Sequence, residues 1–157
     1  MKHIIIESKN TGVSLERYPQ LLPTEEQIST FEAQMGFRLP KDYRAFLLEY
    51  NGGTCVFGSV IESLDSVLCD LYCFDTDGTY GCMPLQLPQD CTEWEMLPHN
   101  CLLIGETDGG DAVALLFEAD ETAVVVIDHE SAFSQEKILL RCPDFTTFLS
   151  DTVRTED

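Results

Sequence analysis

The chain has 157 residues, 44% of them apolar, which is enough material for one domain with its own core. Its 28 acidic and 9 basic side chains give a formal net charge of −19, a field that repels phosphate backbones, so we expect no direct binding to nucleic acid. No apolar run approaches the roughly 18 residues of a membrane span or resembles a signal peptide. We therefore expect a cytoplasmic protein without a membrane contact.

The negative charge is concentrated in one stretch of the chain. No lysine or arginine occurs between Arg44 and Lys137, and eighteen acidic residues lie from Glu49 to Glu136. The same stretch is rich in Leu, Val, Ile and Phe, which predicts a folded segment with an acidic surface instead of a disordered tail. Two interpretations stay open: the acidity serves solubility, or it steers a basic partner protein towards this surface.

The first predicted element is a pair of helices between Thr24 and Tyr50. The T-E-E-Q sequence that starts at Thr24 is a capping-box pattern, and Gly36 suits the C-terminal end of the first helix. Pro40 suits the first turn of the second helix, and the Asn-Gly-Gly run at 51–53 supplies the positive φ angles that turn the chain. The predicted inner faces carry Ile28, Phe31 and Met35 on the first helix and Tyr43, Phe46, Leu47 and Tyr50 on the second.

Beyond the helical pair, short apolar segments alternate with Gly, Asp, Asn and Pro turns, a pattern typical of a sheet with hairpins. The clearest hairpin joins Ala112–Glu118 to Ala123–Ile127. Cys142-Pro143-Asp144 starts a last helix. Helices that are segregated around an antiparallel sheet predict an α+β fold, which we expect to be a single domain over residues 1–157. The remaining predicted strands are Thr54–Ile61 and Cys101–Gly105, and the last helix should bury Phe145, Phe148 and Leu149.

The seven cysteines cannot all pair within one chain. Several lie in apolar runs, so we expect thiols that pack as small buried hydrophobes in a reducing compartment. Cys69 and Cys73 are four residues apart, which on a helix would place both thiols on one face. No second pair of ligands accompanies them, so burial is favoured over zinc binding.

No residue pattern predicts a metal site, a cofactor or an enzyme. The run 75–78 begins like an EF-hand loop, but Tyr80 and Gln86 stand where that loop needs glycine and glutamate. The run 108–111 is interpreted as a tight turn, with acid–base catalysis by its carboxylates as the alternative. His129 is interpreted as an exposed loop histidine, with a pH-sensitive partner contact as the alternative. We predict no catalytic residues, no metal and no cofactor.

Four segments of the sequence resemble the SUKH superfamily, also described as the Smi/Knr-like family. The block Ile28–Gly53 carries L-P, D-Y-x-x-F-L and N-G-G at the family's spacing. The segments Ile104–Asp111 and Val126–Glu130 look like the family's "i-G-x-d-x-G-G-D" and "v-y-x-w-D-H-e" runs, and Phe145–Leu149 resembles its closing helix. The resemblance covers roughly residues 24–150 and leaves 1–23 without a functional interpretation.

The resemblance implies an immunity protein: a cytoplasmic protein of bacterial competition that binds and neutralises a polymorphic toxin, often a nuclease. Because nuclease domains present basic surfaces to phosphate, an acidic globule is complementary to them. The alternative is a scaffold or regulatory module that binds an endogenous protein; the sequence does not indicate an oligomeric state. The predicted partner-binding residues are the acidic residues of loops, namely Asp75, Asp77, Glu106, Asp108, Asp111, Asp128 and Glu130.

Overall fold

The computed structural model describes residues 4–7, 14–17, 22–55, 59–74, 85, 97, 100–129 and 137–154. These residues form three α-helices, namely α1 (Glu25–Met35), α2 (Lys41–Glu49) and α3 (Phe145–Ser150). They also form ten strands, namely β1 (Ile4–Glu7), β2 (Ser14–Arg17), β3 (Gly53–Cys55), β4 (Ser59–Ile61), β5 (Ser66–Leu71), β6 (Cys101–Thr107), β7 (Ala112–Phe117), β8 (Thr122–Ile127), β9 (Ile138–Cys142) and β10 (Thr152–Arg154). The α+β prediction is confirmed. Within the described ranges, no helix has the length and apolarity to span a bilayer.

The helical pair forms as its sequence predicts. Thr24 and Gln27 make a reciprocal capping box at the start of α1, and Gly36 ends the helix with a left-handed φ of +85°. Arg44 of α2 then fastens the two helices together, since its guanidinium lies 3.4 Å from a Glu25 oxygen and 3.6 Å from a Glu32 oxygen. Local capping therefore sets the helix ends, and Arg44 of α2 adds ion pairs to two carboxylates of α1.

The strands form one antiparallel sheet with a branch. The main path runs β1-β2-β3-β5-β6-β7-β8-β9, while β4 pairs with β5 and carries β10 on its other side. The predicted hairpin of β7 and β8 is confirmed, with Ala112 opposite Ile127 and Phe117 opposite Thr122. The described parts of the predicted strand Thr54–Ile61 are β3 and β4, and both pair antiparallel with β5.

Successive residues of a strand point to opposite faces of the sheet. In the central strands both sets of residues are buried, so the sheet is covered on both faces. On one face, residues such as Leu102, Val113 and Val124 pack against the helices, including Ile28 of α1. On the other face lies a second apolar cluster. Its members on the three central strands are Cys101, Leu103, Ala112, Ala114, Leu116, Ala123, Val125 and Ile127. The positions of β6, β7 and β8 are therefore fixed from both sides.

The last helix is fixed to α2 by hydrogen bonds as well as by packing. Phe145 and Phe148 are buried as predicted, and the Phe145 ring lies 4.9 Å from the Tyr43 ring in an edge-to-face contact. Asp42 accepts hydrogen bonds from the Thr146 backbone N–H and hydroxyl at 2.9 and 3.0 Å. A carboxylate of α2 thus satisfies an orphan donor in the first turn of α3.

The glycine that follows α2 is constrained by backbone atoms on the other side of the turn. Gly52 has a φ of +78°, and a Cβ added there would lie 2.5 Å from the Tyr72 carbonyl oxygen. Gly36 has a similar φ of +85°, but nothing lies within 4 Å of its hypothetical Cβ.

Gly36→Ala should cost about 1 kcal/mol of left-handed strain. Gly52→Ala should cost roughly 3 kcal/mol or more, because overpacking adds to the same strain. Urea unfolding of both variants measures the difference, and equal losses would contradict this account.

The capping carboxylate of α3 should make stability depend on pH. Asp144 accepts a hydrogen bond from the Thr147 N–H at 2.7 Å, and this bond lowers the pKa of Asp144 below its ordinary value of 3.8. Because its pKa is lowered, Asp144 stabilises the fold at pH values above its ordinary pKa. This contribution is lost as the pH falls through the folded-state pKa. Asp144→Ala should cost about 1 kcal/mol at neutral pH. Asp144→Asn should keep most of the cap but lose this part of the acid dependence. Thermal unfolding from neutral pH to about pH 3 tests this, and identical acid profiles for wild type and Asp144→Asn would contradict it.

Candidate functional site

The loop between β6 and β7 is a tight turn at one end of the sheet. The Gly110 N–H donates to the Thr107 carbonyl at 3.0 Å, and Gly110 has a φ of +92°. The Thr107 N–H donates to the Asp111 carbonyl at 3.0 Å, while its hydroxyl accepts from the Asp111 N–H at 3.2 Å. The interpretation of 108–111 as a turn is confirmed. These hydrogen bonds, together with the one from the Asp108 N–H to the Val67 carbonyl at 2.9 Å, fix where the flanking carboxylates stand.

Asp111 fastens this turn to the end of β8. Because Ala112 pairs with Ile127, the residues after β8 lie beside the turn. The Oδ1 atom of Asp111 accepts from the His129 backbone N–H at 3.2 Å and lies 2.7 Å from His129 Nδ1. Asp128 is also close, with an oxygen 3.9 Å from the same ring nitrogen. The His129 side chain is 43% exposed, as expected for a loop histidine, but its position is set by a carboxylate.

The same three residues have the composition of a cation site. One ligand atom from each of Asp111, Asp128 and His129 lies within 4.8 Å of the others. However, Asp111 Oδ1 already accepts from the His129 N–H and faces its ring nitrogen, so a cation would compete with this contact. The prediction that the protein holds no metal stays a prediction, and the cluster is explained as a clip between turn and strand.

A second group of carboxylates lies near Cys69, which is on the neighbouring strand β5. Cys69 is the extra residue of a β-bulge, between the pairs Leu68–Thr107 and Asp70–Glu106. Burial raises the pKa of the Cys69 thiol to about 11, and negative charge adds to this effect. The carboxylates responsible are those of Asp70, Glu106 and Asp108. The pairing of Asp70 with Glu106, and the hydrogen bond from the Asp108 N–H to the Val67 carbonyl, place all three residues near the bulge.

Four of the predicted partner-binding residues are described and lie close together, and the other three are not described. Glu106, Asp108, Asp111 and Asp128 come together where β6 and β8 end and β7 begins. We call these four residues the acidic end. Asp75, Asp77 and Glu130 lie outside the described residues. Asp70 is not among the residues predicted from the sequence, because only its cross-strand pairing with Glu106 places it beside the others.

The described cysteines are poor nucleophiles. Burial raises the pKa of the Cys101 thiol to about 12 and also raises the pKa values of the Cys55 and Cys142 thiols. Four described cysteines, including Cys69, are free, as predicted. Cys73 differs, because it is disulfide-bonded. The expectation of free thiols is therefore wrong at Cys73, and its bonded sulfur cannot join Cys69 in binding zinc.

A family model for the SMI1 / KNR4 family (SUKH-1) matches residues 22–151. The chain belongs to the SMI1 / KNR4 family. A relative in Bacillus subtilis (strain 168), the SPbeta prophage-derived uncharacterized protein YokK, is 27% identical over 165 residues, which cover 92% of this chain and 82% of the relative. No solved structure matches the chain.

Several residues that carry the SMI1 / KNR4 resemblance have structural roles in this chain. Asp42 bonds the first turn of α3, and Asn51 is fully buried with its side-chain amide on the Phe74 backbone. Gly110 takes the positive φ of the turn, and Asp111 holds that turn to β8. These motifs therefore explain how the fold is made and why the acidic end is rigid, and they leave its partner to be inferred from its chemistry.

The clip between Asp111 and His129 should contribute measurably to stability. Asp111→Ala removes the acceptor of the His129 N–H and should cost about 1 kcal/mol. Asp111→Asn keeps an acceptor oxygen and should recover most of this loss. Asp108→Ala is the matched control, because that exposed residue is held through its backbone N–H to Val67, so its change should stay within about 0.5 kcal/mol. Thermal unfolding and amide exchange at His129 report the result. If the Asp111→Ala and Asp108→Ala variants are equally stable, the clip has no role.

Proposed function

We propose that this chain is an immunity-type binding protein that neutralises a basic, nuclease-like toxin domain by direct protein contact. The observation that carries the proposal is the convergence of Glu106, Asp108, Asp111 and Asp128 on one end of a sheet. Membership of the SMI1 / KNR4 family and similarity to a prophage-derived protein fit this class of function. The net charge of −19 supports it, since opposite charges favour the encounter with a basic surface.

The acidic end is suited to rigid recognition. Its carboxylates stand on strand ends and on a turn that is held by hydrogen bonds, so little conformational freedom is lost when a partner binds. A toxin surface whose Lys and Arg residues bind phosphates would bind the carboxylates of the acidic end instead of the phosphates. The protein would then inhibit by occupying that surface, without catalytic turnover of its own.

The same proposal covers location and domain organisation. We propose that residues 1–157 form one domain and that it acts in the cytoplasm, where an incoming toxin would reach its target. The four free thiols suit a reducing compartment. The disulfide at Cys73 does not, so we expect that bond to be reduced in the cell.

A charge-neutralised acidic end should lose protection against the toxin. The test variant combines Glu106→Gln, Asp108→Asn and Asp128→Asn, and spares Asp111 because of its role in the turn. The matched control combines Glu118→Gln, Asp120→Asn and Glu121→Gln, which removes the same charge at the opposite end of β7 and β8. At roughly 0.5 kcal/mol for each exposed charge, the test variant should bind about tenfold more weakly and with a reduced salt dependence.

Co-expression with candidate basic, nuclease-like toxin domains provides the readout. Wild type and the control variant should restore growth, and the acidic-end variant should restore less. Equal protection by both variants would remove the acidic end from the interface. If wild type protects against no such domain and instead co-purifies with a housekeeping protein, the regulatory-module alternative replaces this proposal.

A further inference from the structure

A cavity of about 730 Å³ opens where α1 ends and α2 begins. Its lining includes Phe37, Arg38, Lys41 and Arg44, with Glu32 as the only carboxylate among the lining residues described. In a chain with 9 basic and 28 acidic residues, three cations around one cavity are a local reversal of charge. This cavity has no part in the binding role proposed above.

The three cations differ in whether a carboxylate of this chain already pairs with them. Arg44 is 24% exposed and is held by Glu25 and Glu32, so it forms part of the cavity wall. Arg38 and Lys41 are exposed, and no carboxylate among the described residues lies within ion-pair distance of either. Two exposed cations at the mouth of a cavity are available to an anionic group.

An exposed aromatic ring lies beside these cations. Phe37 is 37% exposed, yet its ring is stacked on that of Phe117 with centroids 4.6 Å apart and planes 8° apart. The preceding residue is Gly36, whose missing side chain leaves open space above the cavity edge. A ring that is already fixed loses little entropy on binding, which is the property of aromatic residues that dominate interfaces.

We propose that this basic, aromatic cavity binds an acidic segment of a partner protein. Its carboxylates would pair with Arg38 and Lys41, and an apolar side chain next to them would pack on Phe37. Charge complementarity selects this occupant, because a basic segment would be repelled here and attracted to the acidic end. A second copy of this chain is disfavoured, because each copy carries a charge of −19.

The acidic end does not cancel this attraction at physiological salt. The cavity lies at the Phe117 end of β7, and the acidic end lies at the Ala112 end. Five residue steps along a strand at about 3.4 Å each separate these ends by roughly 17 Å. This separation exceeds the screening length of about 8 Å at 0.15 M salt. The nearer carboxylates are those of Glu118, Asp120 and Glu121, and Arg141 lies within ion-pair distance of Glu118 and Glu121. An acidic segment at the cavity would therefore interact mainly with the local cations.

The probe is a fluorescein-labelled peptide that contains alternating glutamate and leucine residues, titrated by anisotropy at about 0.15 M salt. Wild type should bind it saturably. Lys41→Glu and Arg38→Glu should each weaken binding at least tenfold. Lys137→Glu changes the net charge by the same amount away from the cavity, and it should change binding by no more than twofold. Phe37→Ser should also weaken binding, while Leu139→Ser, at another exposed apolar side chain, should not.

The outcomes separate this proposal from the toxin-binding one, because no toxin takes part. Non-saturable binding, or equal weakening by Lys41→Glu and Lys137→Glu, would overturn it. Sedimentation supplies a second arm: self-association that Lys41→Glu abolishes would assign the cavity to a second copy of this chain and also overturn the proposal. If Phe37→Ser fails to fold, as judged by circular dichroism, the variants of exposed Arg38 and Lys41 still decide the result.

Discussion

The buried amide of Asn51 is the contact on which the rest of the structure depends. Its side chain is fully buried, accepts from the Phe74 N–H at 2.7 Å and donates to the Phe74 carbonyl at 2.9 Å. The residue itself has a φ of +55°, a left-handed conformation that asparagine tolerates better than most side chains. One amide therefore replaces a pair of backbone hydrogen bonds between the end of α2 and the segment after β5. Without it, the partly buried N–H and carbonyl of Phe74 would lose their partners.

This contact sets the geometry that leads to the acidic end. It brings Gly52 against the Leu71 and Tyr72 carbonyls, and Gly53 then pairs with Leu71 as β3 joins β5. β5 in turn pairs with β6, where the bulge at Cys69 brings Asp70 opposite Glu106. The helical pair, the sheet and the surface carboxylates are thus connected through neighbouring backbone contacts. The result is a molecule with an acidic end and, at the opposite end of β7, a basic cavity.

Local sequence patterns predict much of this fold, because their causes are local. The capping box at Thr24, the left-handed Gly36 and the β7–β8 hairpin each depend on a few neighbouring residues, and each is observed. β1, β2, β5, β9 and β10 were not predicted, because their identity depends on pairing with distant segments such as Leu15 with Cys55. Both described parts of the predicted strand Thr54–Ile61 pair with β5.

The same distinction applies to the functional surfaces. Acidic loop residues were predicted from composition and family resemblance, yet the clip from Asp111 to His129 and the position of Asp70 follow only from strand register. Arg38, Lys41 and Arg44 are close in sequence, so their proximity was visible in principle. The stacking of Phe37 on Phe117, across eighty residues of sequence, was not.

The most direct test of the central claim is a calorimetric titration of this protein with a basic, nuclease-like toxin domain against which it protects cells, at low and at physiological salt, with toxin activity measured in parallel. The account predicts 1:1 binding that weakens with salt and abolishes the toxin's activity. Binding that is independent of salt, or that leaves the toxin active, would contradict a protein that neutralises its partner through an acidic surface.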